Sequence, residues 1–137
     1  MAEYPQMLHT VIDTTRPREL AEFYRQLLGL RYRAGDEAPA PTQTDQADWL
    51  VLVDSGGVRK LAFQQVDQLP RTTWPNPDVP MQVHVDFTVS SPAELDRQRE
   101  RAQTLGAELL LDRAADPQEP LLVFADPSGH PFCLLVA

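Results

Sequence analysis

An internal repeat constrains this chain more than any other feature. His9-Thr10-Val11-Ile12-Asp13-Thr14-Thr15-Arg16-Pro17-Arg18-Glu19-Leu20 lies over His84-Val85-Asp86-Phe87-Thr88-Val89-Ser90-Ser91-Pro92-Ala93-Glu94-Leu95 at an offset of 75 residues without a gap. His, Pro, Glu and Leu coincide, and each copy runs about one helix further to a Leu-Gly pair, Leu28-Gly29 and Leu105-Gly106. Self-similarity on this scale means one supersecondary unit built twice. The expected architecture is α+β, two βαβββ modules in tandem spanning about 6–68 and 81–137 of a single 1–137 domain.

Local patterns support the same reading in each copy. Leu8, Thr10 and Ile12 alternate with His9, Val11 and Asp13, and the run from Val83 to Val89 is rich in β-branched and apolar residues, so both copies open on a strand. Ser91-Pro92-Ala93-Glu94 is a capping box with proline at the first helical position, whereas Arg16-Pro17-Arg18-Glu19 lacks the hydroxyl cap. Leu20, Phe23, Tyr24, Leu27 and Leu28 form a broad apolar stripe in the first helix. Only Leu95, Ala102 and Leu105 do so in the second, which is expected to be more exposed. Further strands are expected near Leu30–Arg33, Asp48–Asp54 and Lys60–Val66, then near Ala107–Leu111, Leu121–Ala125 and Phe132–Val136. Ser55-Gly56-Gly57 and Asp126-Pro127-Ser128-Gly129 read as hairpin turns. Ala34–Ala47 reads as a mobile polar loop, and Asp67–Pro80 as a Pro-rich linker between modules.

Composition narrows the function. The net charge of −8 argues against a nucleic-acid partner, which needs a basic footprint. The apolar runs are too short to span a bilayer, and no basic-then-apolar leader opens the sequence. The single cysteine, Cys133, excludes an internal disulfide framework and fits a cytoplasmic location.

The chemistry-bearing positions follow from the repeat. Two histidines at equivalent positions, His9 and His84, would approach one another across a pseudo-twofold axis, and converging imidazoles are the nucleus of a divalent metal site. Aligning Phe63-Gln64-Gln65 with Phe132-Cys133-Leu134 adds Gln64 and Cys133. The sequence leaves open whether Gln64 or Gln65 faces inward.

The chain resembles the vicinal oxygen chelate superfamily of glyoxalases, bleomycin-resistance proteins and extradiol dioxygenases, and most of all its glyoxalase-like branch. The resemblance spans essentially the whole chain. It rests on Leu8-His9-Thr10-Val11, Glu19-Leu20-Ala21-Glu22-Phe23-Tyr24, Leu28-Gly29-Leu30 and Leu61-Ala62-Phe63-Gln64 in the first module. In the second it rests on Val83-His84-Val85-Asp86, Leu105-Gly106-Ala107 and Asp126-Pro127-Ser128-Gly129-His130-Pro131-Phe132-Cys133. It implies a curved mixed sheet around a cavity, a homodimer, a small-molecule ligand, and metal ligands at His9, Gln64, His84 and Cys133. Cys133 stands where the family usually has glutamate. That departure favours Zn²⁺ or another transition metal over a hard cation, and it removes the base of a glyoxalase isomerisation and the carboxylate of an iron dioxygenase.

Two readings stay open at this point. In one the protein binds a small molecule without a metal, through a groove of aromatic residues drawn from Trp49, Trp74, Tyr32, Phe63, Phe87 and Phe132. Trp74, Trp49 and Phe63 are the candidate ligand contacts, with Asp86 a polar wall residue or a partner to a ligating histidine. In the other it is a divalent-metal-dependent lyase, isomerase or dioxygenase that uses the two histidines.

Overall fold

A computed structural model describes residues 4–137. The chain divides into two compact units, the first ending at Gln68 and the second beginning at Leu69. In the first unit β1 (Thr10–Thr14) leads into α1 (Pro17–Leu28), followed by β2 (Arg31–Tyr32), β3 (Trp49–Val53) and β4 (Arg59–Gln65). In the second, β5 (Val85–Val89) leads into α2 (Pro92–Thr104), then β6 (Glu108–Arg113), β7 (Leu121–Ala125) and β8 (Pro131–Val136). The sheet orders match, β1-β4-β3-β2 and β5-β8-β7-β6, with the first pair parallel and the others antiparallel in each. The second opening strand is shorter than the apolar run suggested, because 81–84 lies outside the ladder.

Each helix covers one face of its own sheet. α1 buries Pro17, Leu20, Ala21, Phe23, Tyr24 and Leu27, and the Tyr24 ring stacks 5.9 Å from Phe63 on β4. Each large apolar side chain so buried contributes roughly 1.5–3 kcal/mol. α2 buries only Leu95 and Ala102, and stacking of Phe124 on Phe132 at 5.2 Å supplies much of that module's core. Ser91 caps α2 by accepting from the Glu94 N–H at 3.1 Å. α1 has no such side-chain cap at Arg16, whose own N–H donates instead to Thr14 Oγ1 at 3.0 Å.

The two hairpins repeat a single device. The Asp54 carboxylate accepts from the Gly56 and Val58 N–H groups at 2.9 and 3.0 Å, and the Asp126 carboxylate accepts from those of Ser128 and His130 at 2.9 and 3.0 Å. Gly57 and Gly129 take left-handed φ values of 80° and 90° at the same point of the turn, which a side chain would oppose. The surroundings differ. Asp54 is partly exposed while Asp126 is fully buried, because the segment after Leu69 lies on the second hairpin. Thr72 N–H donates to the Gly129 carbonyl at 2.9 Å, and Arg71 reaches the Pro127 carbonyl at 3.3 Å and Glu108 at 3.3 Å. The stretch expected as a linker is therefore, in this part, a strap on the second module.

The loop over 34–47, expected to be mobile, is tied to the rest of its module by side-chain hydrogen bonds. Arg18 on α1 donates to Asp45 at 2.7 Å and to the Asp36 carbonyl at 2.7 Å, while its guanidinium sits 4.8 Å over the Tyr32 ring. Asp36 accepts from the Val51 N–H at 2.9 Å, so the loop continues the sheet edge that two-residue β2 begins. The Tyr32 hydroxyl donates to Glu22 at 2.7 Å. Burial, and then this bond to a carboxylate, push the phenol up to about 12.

Candidate functional site

The face that each helix leaves uncovered carries the chemistry. Strand side chains alternate between faces, so in the second module His84, Asp86 and Cys133 fall opposite the side of Phe132 and Leu134. Asp86 and Cys133 are direct neighbours across the parallel β5–β8 pair. His84 Nε2 lies 3.2 Å from Asp86 Oδ1. One donor atom from each of His84, Asp86 and Cys133 lies within 4.8 Å of the others, the spacing of groups that can share one ion. His84 and Asp86 are exposed and Cys133 is half-buried. Burial, and then the Asp86 charge and its hydrogen bond with the thiol, push Cys133 up to about 11, so in the metal-free protein it is a neutral S–H.

This arrangement changes the donor chemistry read from the sequence. The four expected ligands divide between the modules, His9 and Gln64 in the first and His84 and Cys133 in the second, and that set contained no carboxylate. Asp86 stands with His84 and Cys133 as an anionic oxygen, giving an N, O and S set that suits a borderline or soft divalent ion. A neutral thiol must lose its proton to ligate.

The equivalence of Gln64 and Cys133 is corrected by the strand registers. Thr10 pairs with Leu61 and Val11 with Ala62, whereas Val85 pairs with Phe132 and Asp86 with Cys133. Offset by 75, Val11 corresponds to Asp86, so the counterpart of Cys133 is Ala62 and Gln64 lies two residues further on. A slip of two preserves which face each residue occupies, so alternation in the sequence could not reveal it. Gln64 is opposite Trp49 and Asp13, on the uncovered face, and Gln65 has the opposite parity.

The first module presents different chemistry at this place. His9 is half-buried, its ring 5.9 Å from that of Trp49, and Trp49 packs on a cluster of Val51, Val53 and Ala62. The His9 Nδ1 is buried without a hydrogen-bond partner among the described residues. Burial first, and then the positive charges of Arg59 and Arg33, hold this imidazole below its ordinary value of 6.5. Neither arginine was singled out from sequence, because which strand residues come to lie beside His9 depends on the register between strands.

Among the aromatic candidates, Trp49 is on the uncovered face beside His9. Phe63 as a ligand contact is corrected, since it is fully buried against Tyr24 on the helix side and has no surface to offer. Phe132 is likewise fully buried, packed between Phe124 and Phe87. Trp74 is half-buried in the strap, its N–H bonded to Thr72 Oγ1 at 3.1 Å.

No helix is long and apolar enough to cross a membrane. No curated protein sequence matches the chain. Among solved structures, similarity extends over nearly all of it at low identity. A glyoxalase/bleomycin resistance protein/dioxygenase family enzyme from Burkholderia phytofirmans PsJN is 15% identical with a TM-score of 0.65, covering 94% of this chain and 96% of that one. The fosfomycin resistance protein FosX from Mesorhizobium loti is 18% identical, TM-score 0.66, with coverage of 97% and 92%. FosX from Listeria monocytogenes, in complex with Mn(II) and sulfate, is 17% identical, TM-score 0.65, with coverage of 98% and 94%. These likenesses establish the shared fold. The sequence of residues 9–135 matches the glyoxalase-like domain family, and with the duplicated βαβββ topology this places the chain in that family, within the vicinal oxygen chelate superfamily.

Proposed function

We propose that this protein binds a small molecule in the manner of the glyoxalase-like proteins, and that the uncovered face of the second sheet is a principal contact surface. The observation that carries the reading is the grouping of His84, Asp86 and Cys133 within 4.8 Å on that face. Exposed His84 and Asp86 are available to a ligand from solvent, and Cys133 presents a thiol held neutral beside a carboxylate.

The donor set also favours a second reading in which a divalent ion takes part. His84, Asp86 and Cys133 would hold it, and a Zn-type ion there would supply Lewis acidity toward an oxygen of the ligand. The chain's own groups then have defined tasks. Asp86, as a carboxylate 3.2 Å from His84, would orient that imidazole and balance part of the ion's charge, and the Cys133 proton would leave to solvent as the thiolate ligates. Cobalt(II) titration of chelator-treated protein tests this. The expected result is one equivalent bound with a thiolate-to-cobalt absorption band, absent in Cys133→Ser, and an affinity about 10–100-fold lower in Asp86→Asn. Cobalt uptake without the band, or no uptake, would overturn the metal reading and leave binding without a metal, as in drug-sequestering proteins.

Dimerisation is part of the same proposal. β1 is an edge strand; Val11 on it is exposed at 42%, and Met7 and Leu8 just before it at 84% and 59%. Apolar residues on an open edge are a liability that a second copy would cover. Sedimentation of wild type as a dimer and of Leu8→Asp as a monomer is the expected outcome. A cytoplasmic location accords with the lone free thiol.

A further inference from the structure

The uncovered face of the first sheet carries a cationic cluster that a metal site would not want. Arg59 is the register partner of Val53 on β3, and the Arg33 N–H donates to the Val51 carbonyl at 2.9 Å, so both flank the apolar Val51, Val53 and Ala62 cluster. His9 and Trp49 complete the border, their rings 5.9 Å apart. Arg33 shares its charge with Asp36 at 3.1 Å. Arg59 has no carboxylate partner among the described residues, whereas its neighbour Lys60 faces Asp54 at 3.8 Å. Asp13, the acidic residue of β1, is four positions along the strand from His9, opposite Gln64.

An unpaired guanidinium is unexpected in a chain of net charge −8. The charges of Arg59 and Arg33 are felt at His9, so this face repels a divalent cation and attracts an anion. The buried Nδ1 of His9 adds a polar atom in want of a partner. Arginine also offers a planar fork of donors suited to carboxylate and phosphate oxygens.

We propose that this face of the first module binds the oxyanion group of a small ligand, with Arg59 as the principal charge, Arg33 and the His9 imidazole as further polar contacts, and Trp49 against the adjoining part of the ligand. The proposal rests on the small-molecule reading above and names a ligand class for it. It requires no metal and none of His84, Asp86 or Cys133.

The test follows the His9 imidazole C–H signals by NMR, assigned with His9→Gln, in metal-free protein at constant ionic strength. Sodium phosphate and sodium acetate are titrated separately against sodium chloride. A saturable shift with phosphate or acetate, absent with chloride, is expected, and the anion that saturates at lower concentration identifies the oxyanion as phosphate-like or carboxylate-like. Loss of one charge-assisted contact should weaken binding about tenfold or more in Arg59→Gln. Arg59→Lys should retain part of it, and Lys60→Gln should bind as wild type. Shifts that fail to saturate with both oxyanions, or that saturate equally in Arg59→Gln, overturn the proposal. Because cobalt uptake at the second module is measured separately, failure of the oxyanion site is distinguishable from failure of the metal reading.

Discussion

The two modules have the same strand order, the same helix placement and the same aspartate-capped hairpin, yet they differ in what holds them together and in what they present. The first has a deeply packed helix and a uncovered face bordered by Arg33, Arg59, His9 and Trp49. The second has a thinly packed helix, a hairpin strapped by Arg71 and Thr72, and a face bearing His84, Asp86 and Cys133. Sequence positions 1–68 contain ten acidic against seven basic residues, and 69–137 contain ten against five, so the contrast at the sites is sharper than the bulk charge. A duplicated scaffold keeps the backbone hydrogen bonds that define its topology. The side chains on the face left bare by the helix are not needed for that topology and are free to diverge.

The largest test of this contrast is at the helices. Phe23→Ala should cost about 3–5 kcal/mol in urea unfolding, whereas Gln98→Ala, 75 positions on in α2, should stay within about 0.5 kcal/mol. Equal losses would show that α2 carries more of its module than its two buried residues suggest. The hairpins give the next effect. A Cβ on Gly57 meets nothing within 4 Å, so Gly57→Ala should cost only the left-handed strain of about 1–2 kcal/mol. A Cβ on Gly129 would come within 2.8 Å of the Arg71 Cα, so Gly129→Ala should add about 1–3 kcal/mol of overlap and loosen the strap, read as a larger fall in Tm.

Smaller still is the tether of the first module's long loop. Arg18→Ala should cost about 1 kcal/mol or less, its pair with Asp45 being partly exposed, but should speed hydrogen exchange over residues 36–48. The corresponding residue of the second module is Ala93, which can make no such tie. The smallest effects are in pH dependence and have opposite signs in the two modules. His9 is held below 6.5 by burial and then by Arg59 and Arg33. The unfolded chain therefore takes up a proton first, stability falls as pH drops below 6.5, and His9→Gln should flatten that limb. Cys133 is pushed from 9.0 up to about 11, mainly by burial. The unfolded thiol ionises first, stability falls between pH 9 and 11, and Cys133→Ser should flatten that limb in metal-free protein.

Much of the topology was legible because it depends on local pattern. The offset of 75 places both opening strands and both helix starts, and Ser55-Gly56-Gly57 and Asp126-Pro127-Ser128-Gly129 mark both hairpins. The ties on the loop over 34–47 were not legible because they come from the Arg18 and Asp36 side chains acting across the fold. Phe63 was misread as a ligand contact because an aromatic on a strand looks the same from either face until the helix is in place. Cys133 was matched to Gln64 instead of Ala62 because a two-residue slip leaves the alternation intact.

The sequence by itself determined the duplicated βαβββ organisation, the equivalence of His9 and His84 as residues of the repeat, and the unusual cysteine at the last strand. Those are matters of periodicity and local propensity, which short windows contain. Tertiary structure alone decided that Asp86 stands directly across from Cys133, and that Arg33 and Arg59 flank His9. Which side chains share a face across neighbouring strands depends on register, and register is set by hydrogen bonding between segments about 50 residues apart.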